Sequence, residues 1–181
     1  FDHDGTRIKK LHFTFDIVRV YAVDCNMDEK SELVIVANDS VLIYDTTTFE
    51  LIRLITLPIE NIESLLAFVN ETPYLFCLYY DFHESILLAI DLTTGEIIWS
   101  YDSRNLLVYE FLRLVEIEDD AYLIVFADNV IAEKALLLSI NASNGDIIKT
   151  YDPDIGFELS RAHAFVDVNN DEKPELILRD S

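Results

Sequence analysis

Leu87-Leu88-Ala89-Ile90-Asp91-Leu92-Thr93-Thr94-Gly95-Glu96-Ile97-Ile98-Trp99 is the stretch on which the fold turns. Two apolar runs of strand length flank a polar turn. An Asp or Asn at the head of a turn bonds the backbone just ahead of it, and Gly supplies positive φ. The stretch therefore reads as a β-hairpin, and it recurs. Val41-Leu42-Ile43-Tyr44, Asp45-Thr46-Thr47-Thr48-Phe49-Glu50 and Leu51-Ile52 form an earlier copy. Leu136 to Ile140, Asn141-Ala142-Ser143-Asn144-Gly145-Asp146 and Ile147-Ile148 form a later one. Asp2-His3-Asp4-Gly5-Thr6 is a fourth turn near the start. The leading residues are 43, 46 and 50 positions apart.

Two further strands fit between successive turns. They are Val18 to Val23 with Leu33 to Val36, Leu65 to Val69 with Tyr74 to Leu78, Phe111 to Ile117 with Tyr122 to Phe126, and Ala162 to Val168 with Leu176 to Leu178. Ile59 to Asn70 has a short helical pattern, but the repeat register makes it a connection and a strand. Four short strands in roughly 46 residues are the unit of a β-propeller blade. The expected fold is all-β: a propeller segment of about four blades, each a four-stranded antiparallel sheet. The units run 1–16 (a partial outer strand), 17–58, 59–104, 105–155 and 156–181 (partial). An open array leaves unpaired edges at both ends. We therefore expect a larger parent propeller of about six to eight blades, or a partner strand that finishes the ring. Both ends fall inside a repeat, so any targeting signal is expected outside this segment.

One acidic phrase is written twice in the same register. Asp24-Cys25-Asn26-Met27-Asp28-Glu29-Lys30-Ser31-Glu32-Leu33 returns 143 residues later as Asp167-Val168-Asn169-Asn170-Asp171-Glu172-Lys173-Pro174-Glu175-Leu176. Oxygen side chains stand at the first, third, fifth and ninth places, where a tight loop folds inward around a hard cation. Calcium takes about six to eight oxygens, whereas magnesium sheds its waters reluctantly. The candidate ligands are Asp24, Asn26, Asp28, the Lys30 carbonyl and Glu32, then Asp167, Asn169, Asp171, the Lys173 carbonyl and Glu175. Two Ca2+ sites of structural role are expected, each relieving repulsion among its carboxylates. The bland alternative is a solvated acidic connection that binds no metal. The middle units have short turns instead, at Val69-Asn70-Glu71-Thr72-Pro73 and Ile117-Glu118-Asp119-Asp120.

The acidic phrases resemble the calcium loops of FG-GAP and VCBS-type repeats, which build integrin-α-like propellers. The outer hairpins are similar to blades of PQQ-type and WD-repeat propellers. The resemblance implies a calcium-stabilised binding or scaffold module of a cell-surface or secreted protein, serving adhesion or assembly. The family places Gly at the sixth loop position, and this chain has Glu29 and Glu172 there. A side chain at positive φ costs about 1 kcal/mol. The alternatives are an intracellular propeller scaffold without metal, or a non-catalytic part of a propeller enzyme.

Composition bounds the rest. The chain has 181 residues and a formal net charge of −21. That balance excludes nucleic acid as a partner, because phosphate binding needs clustered Lys and Arg. No apolar run approaches the ~20 residues of a membrane-spanning helix. A protein partner or self-assembly is expected. Cys25 and Cys77 lack a C-x-x-C spacing, leaving either a disulfide between them or two free, partly buried thiols. No nucleophile elbow, phosphate loop or dinucleotide fingerprint occurs. His3, His12, His83 and His163 lack metal spacing, although His3 lies between two Asp. No catalytic residue and no organic cofactor are expected. Three sequons, at Asn38, Asn70 and Asn141, fall on turns that would accommodate N-glycans.

Overall fold

The structure is a computed structural model, and it describes residues 10–58, 60, 63–80, 84–103, 106–117, 120–129, 134–152, 163–166, 168 and 175–178. The first sheet contains β1 (Ile17–Val23), β2 (Glu32–Ala37), β3 (Ser40–Tyr44) and β4 (Leu51–Thr56). The second contains β5 (Glu63–Val69), β6 (Thr72–Tyr80), β7 (Ser85–Asp91) and β8 (Ile97–Ser103). The third contains β9 (Leu106–Ile117), β10 (Asp120–Asn129), β11 (Lys134–Asn141) and β12 (Ile147–Tyr151). β13 (His163–Val166) and β14 (Glu175–Leu178) form a two-stranded sheet. Each four-stranded sheet is an antiparallel meander in chain order. This is a partial β-propeller, all-β, with three four-stranded blades and a further hairpin. Of the stretch with a helical pattern, Glu63–Val69 forms β5 and Asn70 the turn after it.

The three outer hairpins among the described residues close by the same device; the turn expected at Asp2 to Thr6 lies outside those residues. Asp45 Oδ1 accepts the Thr47 and Thr48 N–H groups at 2.7 and 2.6 Å. Those two bonds hold the Asp45 carboxyl below the usual carboxylate range. Asp91 Oδ1 accepts from Thr93 N–H at 2.7 Å, and Asn141 Oδ1 from Ser143 N–H at 2.9 Å. The fourth residue after each Asx is left-handed: Phe49 at φ 58, Gly95 at 81 and Gly145 at 79. Each hairpin also carries a register shift beside its turn. Such a bulge is the normal companion of a left-handed residue at a hairpin.

The core lies between blades. One cluster joins Val34, Val36, Val41 and Ile43 of the first blade to Leu75, Cys77, Leu88 and Ile90 of the second. The other joins Phe76, Leu78, Leu87 and Ala89 to Leu123, Val125, Leu136 and Leu138 of the third blade. Successive side chains on a strand face opposite ways, so β6 and β7 feed both clusters. Leu75, Phe76, Cys77 and Leu78 are all 0% exposed. A sheet buried on both faces needs an unbroken apolar run rather than alternation. This explains the dense hydrophobicity of the middle of the chain. Burying each such large side chain contributes about 1.5–3 kcal/mol.

Polar side chains lock the joints between blades. Arg53 on β4 donates from Nη1 to the Leu92 and Thr93 carbonyls, both at 2.8 Å. Trp99 on β8 donates from Nε1 to the Ala142 carbonyl at 2.8 Å. Each donor is the eighth residue after its hairpin's Asx, and each reaches the turn of the following blade. The Tyr21 hydroxyl donates to the Ser64 carbonyl at 2.8 Å. Ser85 Oγ donates to the Leu106 carbonyl and accepts from Val108 N–H, at 2.9 and 3.0 Å.

Candidate functional site

The first acidic phrase forms the connection from β1 to β2. Val23 pairs with Glu32 across its base. Asp24 accepts from Asp28 N–H through Oδ1 at 3.1 Å and from Glu29 N–H through Oδ2 at 2.8 Å. Asn26 Oδ1 accepts from Asp28 N–H at 2.9 Å, and Asp28 Oδ1 from Lys30 N–H at 2.9 Å. Met27 and Glu29 take φ values of 62 and 68. The loop therefore curls left-handed at the sixth place even though Glu29 stands there. The Thr46 hydroxyl ties it to the outer hairpin by donating to the Ser31 carbonyl at 2.7 Å.

Glu32 has a different environment from the other acids. It is 3% exposed. Its Oε2 accepts from Cys25 N–H at 2.7 Å, and its Oε1 from Asn26 Nδ2 at 3.3 Å. As placed, Glu32 braces the two ends of the loop. Among the described residues, no group of three or more His, Cys, Asp and Glu is arranged to hold a metal ion. The donors still suit calcium in type. Asp24, Asn26 and Asp28 gather hard oxygens along one curled backbone, and an ionised carboxylate offers about four lone-pair positions, more than these hydrogen bonds use.

Of the second set, Asp167, Asn169, Asp171 and Lys173 lie outside the described residues. Glu175 opens β14, and its backbone pairs with Val166. That pair stands where Val23 and Glu32 stand, so equivalent strand ends bracket both acidic phrases. Between β5 and β6 the loop has shrunk to a tight turn, with Asn70 at φ 49 and Glu71 at φ 67. Two consecutive left-handed residues match the two-residue hairpin that follows strand twist. The corresponding turn at 118–119 lies outside the described residues.

Cys25 and Cys77 are free and buried, and both belong to the cluster between the first two blades. Burial, reinforced at Cys25 by the Glu32 charge, pushes the Cys25 thiol up to about 12. Burial alone pushes Cys77 up to about 12. Thiols held in that state are inert near neutral pH. His12 is exposed, His163 lies on β13, and His3 and His83 lie outside the described residues. Asn38 and Asn70 are exposed between strands, and Asn141 uses its side-chain oxygen to close its own turn.

Sequence reasoning missed the joint beneath the first loop. There a cleft of about 30 Å³ is lined by residues that include Cys25, Asn26, Glu32, Arg53, Leu92 and Thr93. The available signal was positional: Arg53, Trp99 and Lys149 occupy one place in three successive hairpins.

No protein-family model matches the chain, and no curated protein matches it. Among solved structures it is similar to BBS1N in complex with ARL6DN, from crystals soaked with lead. That match has 13% identity and a TM-score of 0.56, covering 93% of this chain and 50% of that one. The same complex soaked with mercury gives 15% identity and a TM-score of 0.53, with coverage of 96% and 49%. The Dos1 propeller matches at 15% identity and a TM-score of 0.48, over 76% of this chain and 35% of that one. The chain thus spans about half the length of the BBS1N structures it matches. At these identities the BBS1N likeness is one of fold.

Proposed function

We infer that this chain is a protein-binding scaffold whose blades hold a partner along an outer rim, and that calcium pins its long β1–β2 loop. One repeated surface feature carries the rim reading. Ile52, Ile98 and Ile148 each stand seven residues after the hairpin Asx and are 50%, 40% and 55% exposed. Leu51 and Ile97, beside the first two, are 47% and 42% exposed. Isolated exposed aliphatics are ordinary, but the same place left apolar on three successive blades suits protein contact. The charge of −21 favours a partner with a basic face. BBS1N was solved with a second protein, ARL6DN, and a protein partner is the feature carried over to this chain.

The rim is tested by comparing cross-linked complexes captured from source cells with wild type and with Ile52→Asp/Ile98→Asp/Ile148→Asp. The triple variant should keep its melting temperature and lose the partner that cross-links to the rim. Identical complexes from a folded variant would end the reading.

Calcium is supported by the FG-GAP-type spacing, by the left-handed turns at Met27 and Glu29, and by the shared bracket at Glu32 and Glu175. Asp24, Asn26, Asp28, the Lys30 carbonyl and Glu32 would hold one ion. Asp167, Asn169, Asp171, the Lys173 carbonyl and Glu175 would hold the other. The ion would offset carboxylate repulsion and stabilise the folded state by mass action, by about 2.7 kcal/mol at a hundred times Kd. Titration calorimetry should find two ions, with one lost in Asp28→Ala and one in Asp171→Ala. Unchanged stoichiometry would remove those ligand assignments.

A further inference from the structure

At each joint the rear face of one blade meets the forward face of the blade before it, and the rear faces share a pattern. Three places before the hairpin Asx, Leu88 pairs with Cys77 and Leu138 with Val125. The first pair enters the cluster that joins the second blade to the first, and the other pair the cluster that joins the third blade to the second. The first blade carries the same row. Val20 pairs with Ile35, Ile35 with Leu42 and Leu42 with Leu54, so one apolar line crosses all four strands. Its middle is buried, but its ends, Val20 and Leu54, are 53% and 57% exposed. In the second blade Ser64 and Ser100 hold those end places. The chain ahead of β1 follows the joint plan too. Phe13 meets Tyr44 edge to face at 6.2 Å between ring centroids. Its counterpart, Leu57, joins the cluster that holds Ile90, the counterpart of Tyr44.

The forward face of the third blade offers the complementary half of a joint. Ile55 and Tyr101 pair with Val41 and Leu87 and pack into the joints ahead of them. Tyr151 takes the same place against Leu137, yet it is 55% exposed. Lys149, at the place of Arg53 and Trp99, is exposed as well.

We propose that the rear face of the first blade docks a second copy of this chain, at the end that carries Lys149 and Tyr151, so that two copies joined head to tail close one ring. The chain itself holds both halves of such a joint, and the surface continues the design of the two joints already described. An apolar row that crosses a whole sheet fits another sheet face, and its exposed ends are where an apolar surface gains most by being covered. A head-to-tail contact closes into a ring when the rotation between copies permits it. Length agrees with two copies, because one chain spans about half of the BBS1N structures. The inference goes beyond the rim reading, and the variants that remove the contact leave Ile52, Ile98 and Ile148 in place.

Sedimentation velocity of the 181-residue chain in EDTA tests the ring apart from any calcium effect. Wild type should sediment as a dimer, at twice 20.9 kDa. A monomer at up to about 100 μM would overturn the proposal, and so would polymers that grow with concentration, since an open series is not a ring. Val20→Asp/Leu54→Asp and, separately, Lys149→Glu/Tyr151→Asp should each weaken association at least about tenfold while Trp99 fluorescence stays native. Each variant keeps one good face, so mixing them should restore heterodimers through the one intact joint. A mixture that does not associate, or a Lys149→Glu/Tyr151→Asp protein that dimerises like wild type, would overturn head-to-tail contact. Should the Asp pair misfold, Val20→Ser/Leu54→Ser, which copies the second blade, gives the same reading. Ile98→Asp is the control and should associate like wild type. An equal loss there would assign association to general surface apolarity and overturn the joint.

Discussion

Gly95 and Gly145 occupy the same place in successive hairpins, yet a side chain at each meets a different obstacle. Both are left-handed, at φ 81 and 79, and a Cβ in that region costs about 1–2 kcal/mol. Phe49 holds φ 58 at the equivalent place in the first blade, so the turn itself tolerates a side chain. The demand for Gly comes also from the preceding blade. At Gly95 the obstacle is Arg53 Cδ, 2.8 Å from the added Cβ, in an unbranched chain that has more torsions to adjust than a ring but whose guanidinium is held by the Leu92 and Thr93 carbonyls. At Gly145 it is the Trp99 ring at 2.8 Å, anchored by its bond to Ala142. Gly95→Ala should therefore cost about 1–2 kcal/mol from φ, with a smaller addition for displacing Arg53. Gly145→Ala should cost about 2–4 kcal/mol, because overpacking is added. Urea unfolding of both variants measures the difference. Equal losses would show that backbone conformation dominates and the ring does not resist. Trp99 is the sole Trp, so its fluorescence reports the second joint during the same experiment.

Strands differ in how far solvent can reach them. β6 and β7 sit between both apolar clusters, whereas Leu51, Ile52 and Leu54 of β4 and Ile148 and Tyr151 of β12 are exposed. Local opening frees least surface at the outer strands, so their amides should exchange first. Hydrogen exchange should protect β6 and β7 longest and β4 and β12 least. Slower exchange in β12 than in β7 would contradict a core shared across the second blade. The same contrast explains what was legible beforehand. Asx and Gly at fixed offsets encode a hairpin locally, so Asp91 to Gly95 and Asn141 to Gly145 could be read without tertiary knowledge. The run Leu75 to Leu78 announced a strand, but its burial on both faces emerges only with a blade packed on either side. The acidic loop was legible as a loop because its spacing repeats. Glu32 was not legible as a brace, since the ninth place reads identically for a ligand and for an acceptor of the Cys25 N–H. Arg53 was also opaque. An Arg on an outer strand looks solvent-facing until the next blade, about forty residues away, brings its turn carbonyls alongside.

Across the whole molecule, 34 acids against 13 bases leave a charge of −21 on a compact body. Like charge at that density repels itself and opposes the folded state. Salt relieves the repulsion without any specific site, and screening strengthens as the Debye length falls from about 30 Å at 0.01 M to about 8 Å at 0.15 M. The melting temperature should therefore rise with sodium chloride, steeply at first and then less. Calcium would add to this only through a site, so its effect must be read at matched ionic strength. With 0.5 M sodium chloride present, millimolar calcium barely alters screening, and a bound ion should still raise the melting temperature above an EDTA control. Asp28→Ala/Asp171→Ala should retain the sodium chloride response and lose the calcium increment. If calcium adds nothing over EDTA at that salt concentration, its benefit at low salt is general screening of an acidic surface. The first loop is then held by its own hydrogen bonds, with Glu32 as its brace.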